Sequence, residues 1–347
     1  MSQRRLLQPS RLLWTIVILL GLAAISGTAV ASRFAGNVGL LLVARSLSSF
    51  DPLGLESKVS DMLGREQARQ WLHMTTALNY YNRGAWRGLG FLFEMSGQRA
   101  DAIAAWQQAG LTVQDFITWG GQYPFHLHNP ERALYWYTLA TEFAPNSGAA
   151  WFHRAWLQQS LGPWPDVLSA YEKAIQLSQQ DRPSVGLGTI YYRKGMVHQW
   201  QQSPSDLSSA IQSYEAGLAA GDFILRTEKA DCYTRLGQIL QWQGRGIDRQ
   251  IDLFQKAIAT DPSYSTPYVL LGYAYYLRDG DVTAAVAQID KALALVPDYP
   301  SAYWYLGEIY LAEGATAKAR EMYQKVLSFN PRFEAAQRRL QELGQVP

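Results

Sequence analysis

The pattern of apolar and polar positions over residues 300–331 predicts two short amphipathic helices joined by a tight turn. In the first helix Leu306 and Tyr310 lie four residues apart and share one face, and in the second Ala319 and Tyr323 do the same. Neither helix can bury its apolar face alone. The unit therefore needs neighbours of the same kind.

The same pattern recurs along most of the chain. Gly237, Gly272 and Gly307 each follow a leucine and lie 35 residues apart. Earlier stripes extend the pattern back to residue 83 and give about seven helix-turn-helix units. We therefore predict an all-α solenoid.

The predicted organisation comes from these repeats. The solenoid covers residues 83–333, and the amphipathic tail, residues 334–347, is expected to be a capping helix with a polar outer face. Residues 33–82 are expected to form a degenerate first repeat with an insertion.

The order of residues within each unit points to a known family. An aromatic residue, Leu-Gly, a second aromatic residue, Ala, a third aromatic residue, a small residue and Pro follow one another in residues 303–331. This order resembles the tetratricopeptide (TPR) repeat of 34 residues. The resemblance implies a right-handed α-solenoid in which the first helix of each pair lines a concave groove. It covers residues 83–345 well and residues 36–82 poorly.

An uncharged apolar stretch, residues 12–32, is long enough to cross the hydrocarbon core of a bilayer as a helix. Three arginines within residues 1–11 precede it, so we expect a cytoplasmic N-terminus and a single-pass anchor in the cell membrane. Ala29-Val30-Ala31 offers a signal-peptidase site, so a cleaved signal peptide is the alternative. Both interpretations place the repeats outside the cytoplasm.

Charge and cysteine content exclude some classes of function. The formal net charge is only +2, and no basic block interleaved with aromatic residues is present, so nucleic acid is not an expected partner. The one cysteine, Cys232, excludes an intramolecular disulfide and is predicted to be a buried, inert thiol.

The sequence also offers no catalytic constellation. Of five histidines only His126 and His128 are close together, and no third ligand accompanies them. We find no metalloprotease, P-loop or nucleophile-elbow motif. The carboxylates are expected to be solvated singly along the helices. We therefore predict no metal, no cofactor and no enzymatic activity.

The TPR resemblance assigns aromatic and amide residues to the concave groove. The predicted partner-binding residues are Phe152, Trp156, Tyr192, Trp200, Gln238, Trp242, Tyr273, Tyr276 and Trp304. Further amides (Gln159, Gln199 and Gln241) lie between them, and Trp86, Trp151, Tyr233, Tyr268 and Tyr303 are expected to fill the core. Flat rings with amides suit peptides or sugar chains. The alternative is that these rings only pack against adjacent helices.

A looser resemblance concerns the biological setting. Residues 37–47, 85–91 and 102–110 are similar to membrane-anchored TPR proteins that accompany bacterial polysaccharide polymerases and ligases. This implies a protein–protein scaffold in cell-envelope assembly. A glycan-binding accessory of polysaccharide polymerisation or export is the alternative, and an accessory that modifies sugars is the third hypothesis.

Overall fold

The computed structural model describes residues 32–33, 35–39, 59–122, 129–162, 164–179, 185–201 and 203–344. All regular secondary structure within these ranges is helical. The chain divides into two compact units, Met1–Pro145 (unit 1) and Asn146–Pro347 (unit 2).

Unit 1 contains five long helices. They are α1 (Val59–Leu78), α2 (Arg83–Met95), α3 (Arg99–Gln108), α4 (Val113–Gln122) and α5 (Pro130–Phe143). Helix α2 packs on α3 and α4 packs on α5, which gives two helix pairs, and α1 packs on α2. Residues 35–39 are also helical, and Gly39 lies against the Leu72 side chain of α1.

Unit 2 contains five further helix pairs and a final helix. The pairs are α6 (Gly148–Gln158) with α7 (Trp164–Ser178), α8 (Leu187–Gln201) with α9 (Pro204–Ala220), α10 (Arg226–Trp242) with α11 (Ile247–Thr260), α12 (Thr266–Asp279) with α13 (Val282–Leu295), and α14 (Pro300–Ala312) with α15 (Thr316–Phe329). Helix α16 (Glu334–Gly344) packs on α15. The predicted all-α solenoid is confirmed.

Local sequence signals explain where the helices begin and end. Asn82, Asn129, Ser147 and Asp281 each accept a backbone N–H of the following first turn through their side chains. The turn between α14 and α15 passes through Gly314 at φ +73°, in the left-handed region that a side chain disfavours.

Both helices of each pair contribute apolar side chains to the core, but most of the largest fully buried rings come from the second helix. The large rings that are fully buried include Trp106, Tyr137, Tyr171, Tyr214, Phe254 and Tyr323. A Cβ on Gly307 would lie 2.5 Å from Cε1 of Tyr323, so the glycine makes room for the ring. This corrects the predicted core. The first-helix residues Trp86, Trp151, Tyr233, Tyr268 and Tyr303 are only partly buried.

The prediction for Cys232 can be compared with the structure, whereas those for the membrane anchor and the histidine pair cannot. Cys232 is fully buried, and burial raises the pKa of its thiol well above the ordinary value. The proposed membrane anchor, residues 12–32, and the pair His126 and His128 lie outside the described residues except for Ser32. Among the helices that the structure describes, none is both long and apolar enough to cross a membrane.

Candidate functional site

The first helices of successive pairs form one side of unit 2. Helix α8 contacts α10, α10 contacts α12 and α12 contacts α14, whereas no comparable contact joins successive second helices in the described part of unit 2. Helices that approach each other more closely lie on the inside of a curved stack. We call this side, formed by α8, α10, α12, α14 and α16, the inner surface.

A cavity of about 220 Å³, which we call the inner cavity, opens on this surface. It is lined by Gln238 of α10, by Thr266, Val269 and Leu270 of α12, by Ser301, Trp304 and Tyr305 of α14, and by Tyr299 and Phe333. The lining therefore combines apolar side chains and rings with one amide and several hydroxyl groups. This composition is typical of small binding sites in proteins.

The rings around the inner cavity hold one another in place. The Trp304 ring centroid lies 5.4 Å from that of Tyr323 and 5.3 Å from that of Phe333, and Tyr305 lies 4.7 Å from Tyr273. Burial raises the pKa of Tyr305 to about 12, so its phenol is neutral at physiological pH. The rings thus form a rigid, uncharged wall.

A hydroxyl pair joins two of the helices that line the inner cavity. Thr266 Oγ1 and Tyr299 Oη are 3.0 Å apart, so either hydroxyl can donate to the other. This contact ties the start of α12 to the residue preceding α14. The pair leaves spare donor and acceptor capacity for a ligand.

Two of the predicted groove residues, Gln238 and Trp304, line the inner cavity, and Tyr273 contacts the lining residue Tyr305. Phe152 and Tyr192 require a correction, because they are 5% and 6% exposed and belong to the core. Tyr192 and Trp304 each directly follow the first aromatic residue of their repeat. The burial of Tyr192 comes from the next first helix, α10, which packs over it.

A partly buried network of hydrogen bonds holds Tyr192. Its hydroxyl donates to Asp231 Oδ2 at 2.6 Å, Tyr264 donates to Asp231 Oδ1 at 2.6 Å, and Arg235 Nε donates to Asp231 Oδ2 at 2.5 Å. Burial together with this carboxylate raises the pKa of Tyr192. Asp231 therefore links three successive repeats, and this part of the inner surface is filled by the protein's own groups.

The predicted groove amides Gln159 and Gln199 also have structural partners. Gln159 accepts a hydrogen bond from Tyr171, and Gln199 accepts one from Tyr214, both at 2.7 Å. Each amide thus satisfies the hydroxyl of a core tyrosine from its own pair. Gln199 is buried, so it cannot line a groove.

The remaining predicted groove residues lie elsewhere on the surface. Trp200 and Trp242 are 42% and 57% exposed at or near the ends of α8 and α10, and Trp200 contacts the Trp164 ring at 5.7 Å. Trp156 is half-buried against the core cluster of α6 and α7. Tyr276 donates to Glu313 at 3.0 Å. The structure therefore does not bring all nine residues into one site.

The prediction that carboxylates are singly solvated is wrong for the first helices. Glu228 accepts Thr189 Oγ1 at 2.8 Å and Arg193 Nη2 at 2.6 Å, and only 8% of its side chain is exposed. Glu308 accepts a bidentate pair from Arg339 and the hydroxyl of Tyr323. These partners lie up to one repeat away in sequence, so only the spacing of Arg and acidic residues could have revealed them.

A second cavity, of about 310 Å³, shares Trp304 with the inner cavity. Its other lining residues all come from α16: Ala335, Arg338, Arg339 and Glu342. We call it the terminal cavity. The sequence predicted α16 only as a cap, and the face that it turns toward Trp304 was missed.

Unit 1 has a cavity of about 370 Å³ between α1 and the end of α2. Arg65, Glu66 and Arg69 line one side, and Ser96 and Gln98 line the other. Arg69 bridges the two sides, because its Nη2 lies 3.2 Å from Ser96 Oγ and 2.8 Å from Gln98 Oε1. This contact fixes α1 to the turn after α2.

Comparisons with known proteins agree with this architecture. The tetratricopeptide repeat family matches residues 274–335. The structure of the Pseudomonas aeruginosa pilF protein has a TM-score of 0.53 and 15% identity, covering 67% of this chain and 96% of that one. The structure of PilW, a type IV pilus biogenesis factor, has a TM-score of 0.52 and 14% identity, covering 67% and 98%.

A third similar structure is the hetero-tetramer Cut9-Hcn1 of APC/C, with a TM-score of 0.53 and 17% identity, covering 86% of this chain and 57% of that one. At these identities the likeness shows the fold alone. No curated protein sequence matches the chain. The family match itself covers residues 274–335, and the helix pairs that precede it repeat the same helix-turn-helix arrangement.

Proposed function

We propose that the chain is a non-catalytic scaffold that binds a segment of a protein partner on the inner surface of unit 2. The observation that carries this proposal is the inner cavity, which places Gln238, Ser301 and Trp304 around one opening. Elsewhere on the same surface the carboxylates of Asp231 and Glu228 already accept hydrogen bonds from neighbouring repeats. The inner cavity is where the surface offers unfilled space.

The lining favours a peptide as the ligand. An extended peptide presents backbone N–H and C=O groups at regular intervals, and the Gln238 amide and the hydroxyls of Thr266 and Ser301 can pair with both kinds of group. The ring of Trp304 offers an apolar contact for one side chain of the same segment. A cavity of this size accommodates one or two side chains, so a short linear segment suffices.

A pull-down with a matched pair of variants tests the proposal. Ser301→Phe fills the inner cavity, whereas Ser328→Phe places the same ring on an exposed position of the second helix α15. Full-length protein is isolated from gently solubilised membranes, and the bound proteins and sugars are identified by mass spectrometry. We expect a protein that the wild type and Ser328→Phe retain and Ser301→Phe loses. Equal retention by all three would contradict the proposal.

The same experiment decides the glycan alternative. Rings and amides also suit sugar chains, and Trp242 with the Trp164–Trp200 pair exposes flat aromatic surface. If a glycan but no protein is bound, and Ser301→Phe loses it, the ligand is a sugar chain rather than a peptide. Loss of both ligands in Ser301→Phe would indicate a partner that carries the glycan.

We further propose that residues 12–32 anchor the chain in the cell membrane and place the repeats outside the cytoplasm, in the setting of envelope or polysaccharide assembly. The support is the uncharged length of this segment and the arginines that precede it. Alkaline carbonate should leave the full-length protein in the membrane pellet, and protease added to intact spheroplasts should degrade the repeats. Release by carbonate would contradict the anchor, and protection from protease would contradict the placement of the repeats outside the cytoplasm.

A further inference from the structure

We infer that the partner segment carries a carboxylate beside an apolar side chain, and that Arg338 of α16 recognises the carboxylate while Trp304 packs on the side chain. The inference rests on the proposed function and specifies the chemistry of the partner. Trp304 lines both the inner cavity and the terminal cavity, so a segment bound in the first lies beside the second.

Three arginines of the inner surface are already neutralised by carboxylates. Arg193 pairs with Glu228 at 2.6 Å, Arg235 pairs with Asp231 at 2.5 Å, and Arg339 pairs with Glu308 at 2.8 Å. Hydrogen bonding to Glu308 raises the pKa of Arg339. These arginines have no spare charge to offer a ligand.

Arg338 differs from these three. It lines the terminal cavity, it is exposed, and it forms no ion pair with any residue that the structure describes. The carboxylate nearest in the lining, Glu342, is bound to Arg339 at 3.1 Å. The guanidinium of Arg338 is therefore the cation that remains available beside Trp304, and a guanidinium binds a carboxylate by two parallel hydrogen bonds.

The apolar requirement comes from the shared lining residue, Trp304. Trp304 contacts the rings of Tyr323 and Phe333 within the protein and also lines both cavities. A ligand that pairs with Arg338 therefore brings its neighbouring group against an indole ring. A leucine-like side chain gains from this contact, whereas a hydroxylated sugar acid gains less.

Fluorine NMR of the full chain labelled with fluorotryptophan tests the inference, with the Trp304 signal assigned by its absence in Trp304→Phe. The probes are N-acetyl-leucine, its uncharged amide N-acetyl-leucinamide, and glucuronate. We expect N-acetyl-leucine to shift the Trp304 signal at about threefold lower concentration than the amide, as for an exposed ion pair. Arg338→Gln should remove this difference, whereas Arg245→Gln, at another exposed arginine, should keep it.

The outcomes separate this inference from the proposed function. Equal shifts by N-acetyl-leucine and its amide would overturn the role of Arg338 and leave binding at the inner cavity intact. A glucuronate effect as strong as that of N-acetyl-leucine would overturn the apolar requirement. No Trp304 shift with any probe, together with equal retention in the Ser301→Phe pull-down, would contradict the proposed function itself.

Discussion

The inner surface of unit 2 has two parts that begin from the same repeat pattern. Between α8 and α10, Tyr192 is covered and its hydroxyl is bound by Asp231. Between α14 and α16, Trp304 occupies the corresponding position but stays half-buried between two cavities. We call the first the packed part and the second the open part.

The two parts differ in the helix that packs next to each ring. Helix α10 brings Asp231 and Glu228 to the groups of α8, so the packed part satisfies its own polar atoms. Helix α16 brings Ala335 and Arg338 toward Trp304 and leaves space there. The packed part should therefore determine stability, and the open part should determine binding.

The largest expected effect is that of Asp231→Ala in the packed part. It removes the acceptor for Tyr192, Tyr264 and Arg235 at once and leaves a partly buried guanidinium without its carboxylate. We expect the free energy of unfolding to fall by about 3 kcal/mol. Urea denaturation measures it. Asp252→Ala breaks an exposed pair with Lys256 and should cost much less. A similar small loss of stability in both variants would contradict the claim that the packed part determines stability.

A pH effect comes next in size. Burial lowers the pKa of His153 in α6 to about 4 from an ordinary value of 6.5. Between pH 6.5 and about 4, the unfolded chain therefore binds a proton at His153 that the folded chain does not bind. The stability is fully present above pH 6.5 and falls as the pH drops from 6.5 toward 4, by about 2 kcal/mol.

His153→Gln should flatten this dependence in urea denaturation at pH 7 and pH 5. His198→Gln is the control. Burial and Lys194 lower the pKa of His198, but Asp206 raises it, so most of the pH dependence of stability should remain in this variant. An unchanged slope in His153→Gln would show that other groups carry the pH effect.

A smaller effect compares two tyrosine hydroxyls. Tyr192→Phe leaves Asp231 without one of its buried donors and should cost about 1 kcal/mol. Tyr276→Phe removes a more exposed bond to Glu313 and should cost less than about 0.5 kcal/mol. Chemical denaturation of both variants measures the difference. Equal losses of stability would contradict a larger contribution from the hydrogen bond of Tyr192 than from that of Tyr276.

The smallest expected effect is at the exposed tryptophans. Trp242 is 57% exposed and lies outside both cavities, so Trp242→Ala should change the free energy of unfolding by less than about 0.5 kcal/mol. Retention of the partner in the pull-down should also be unchanged. A clear loss of partner would extend the binding surface from the open part to the end of α10.

Much of the fold is predictable from the sequence, because each repeat can be recognised from residues within a single helix pair. The stripe through Leu306 and Tyr310 and the close approach at Gly307 depend on spacing within one helix pair. The site is harder to predict, because Tyr192 and Trp304 are equivalent within their repeats. Their different burial depends on Asp231 in one neighbouring helix and Ala335 in the other.

Site-specific photo-crosslinking tests the central claim most directly. A benzophenone amino acid replaces Arg338, which is exposed beside Trp304 and leaves the inner cavity open, or, as the control, Ser328 on α15, in full-length protein within intact cells. A discrete crosslinked protein is expected from position 338 and none from position 328. The same product from both positions, or a product from position 328 alone, would contradict a binding site on the inner surface.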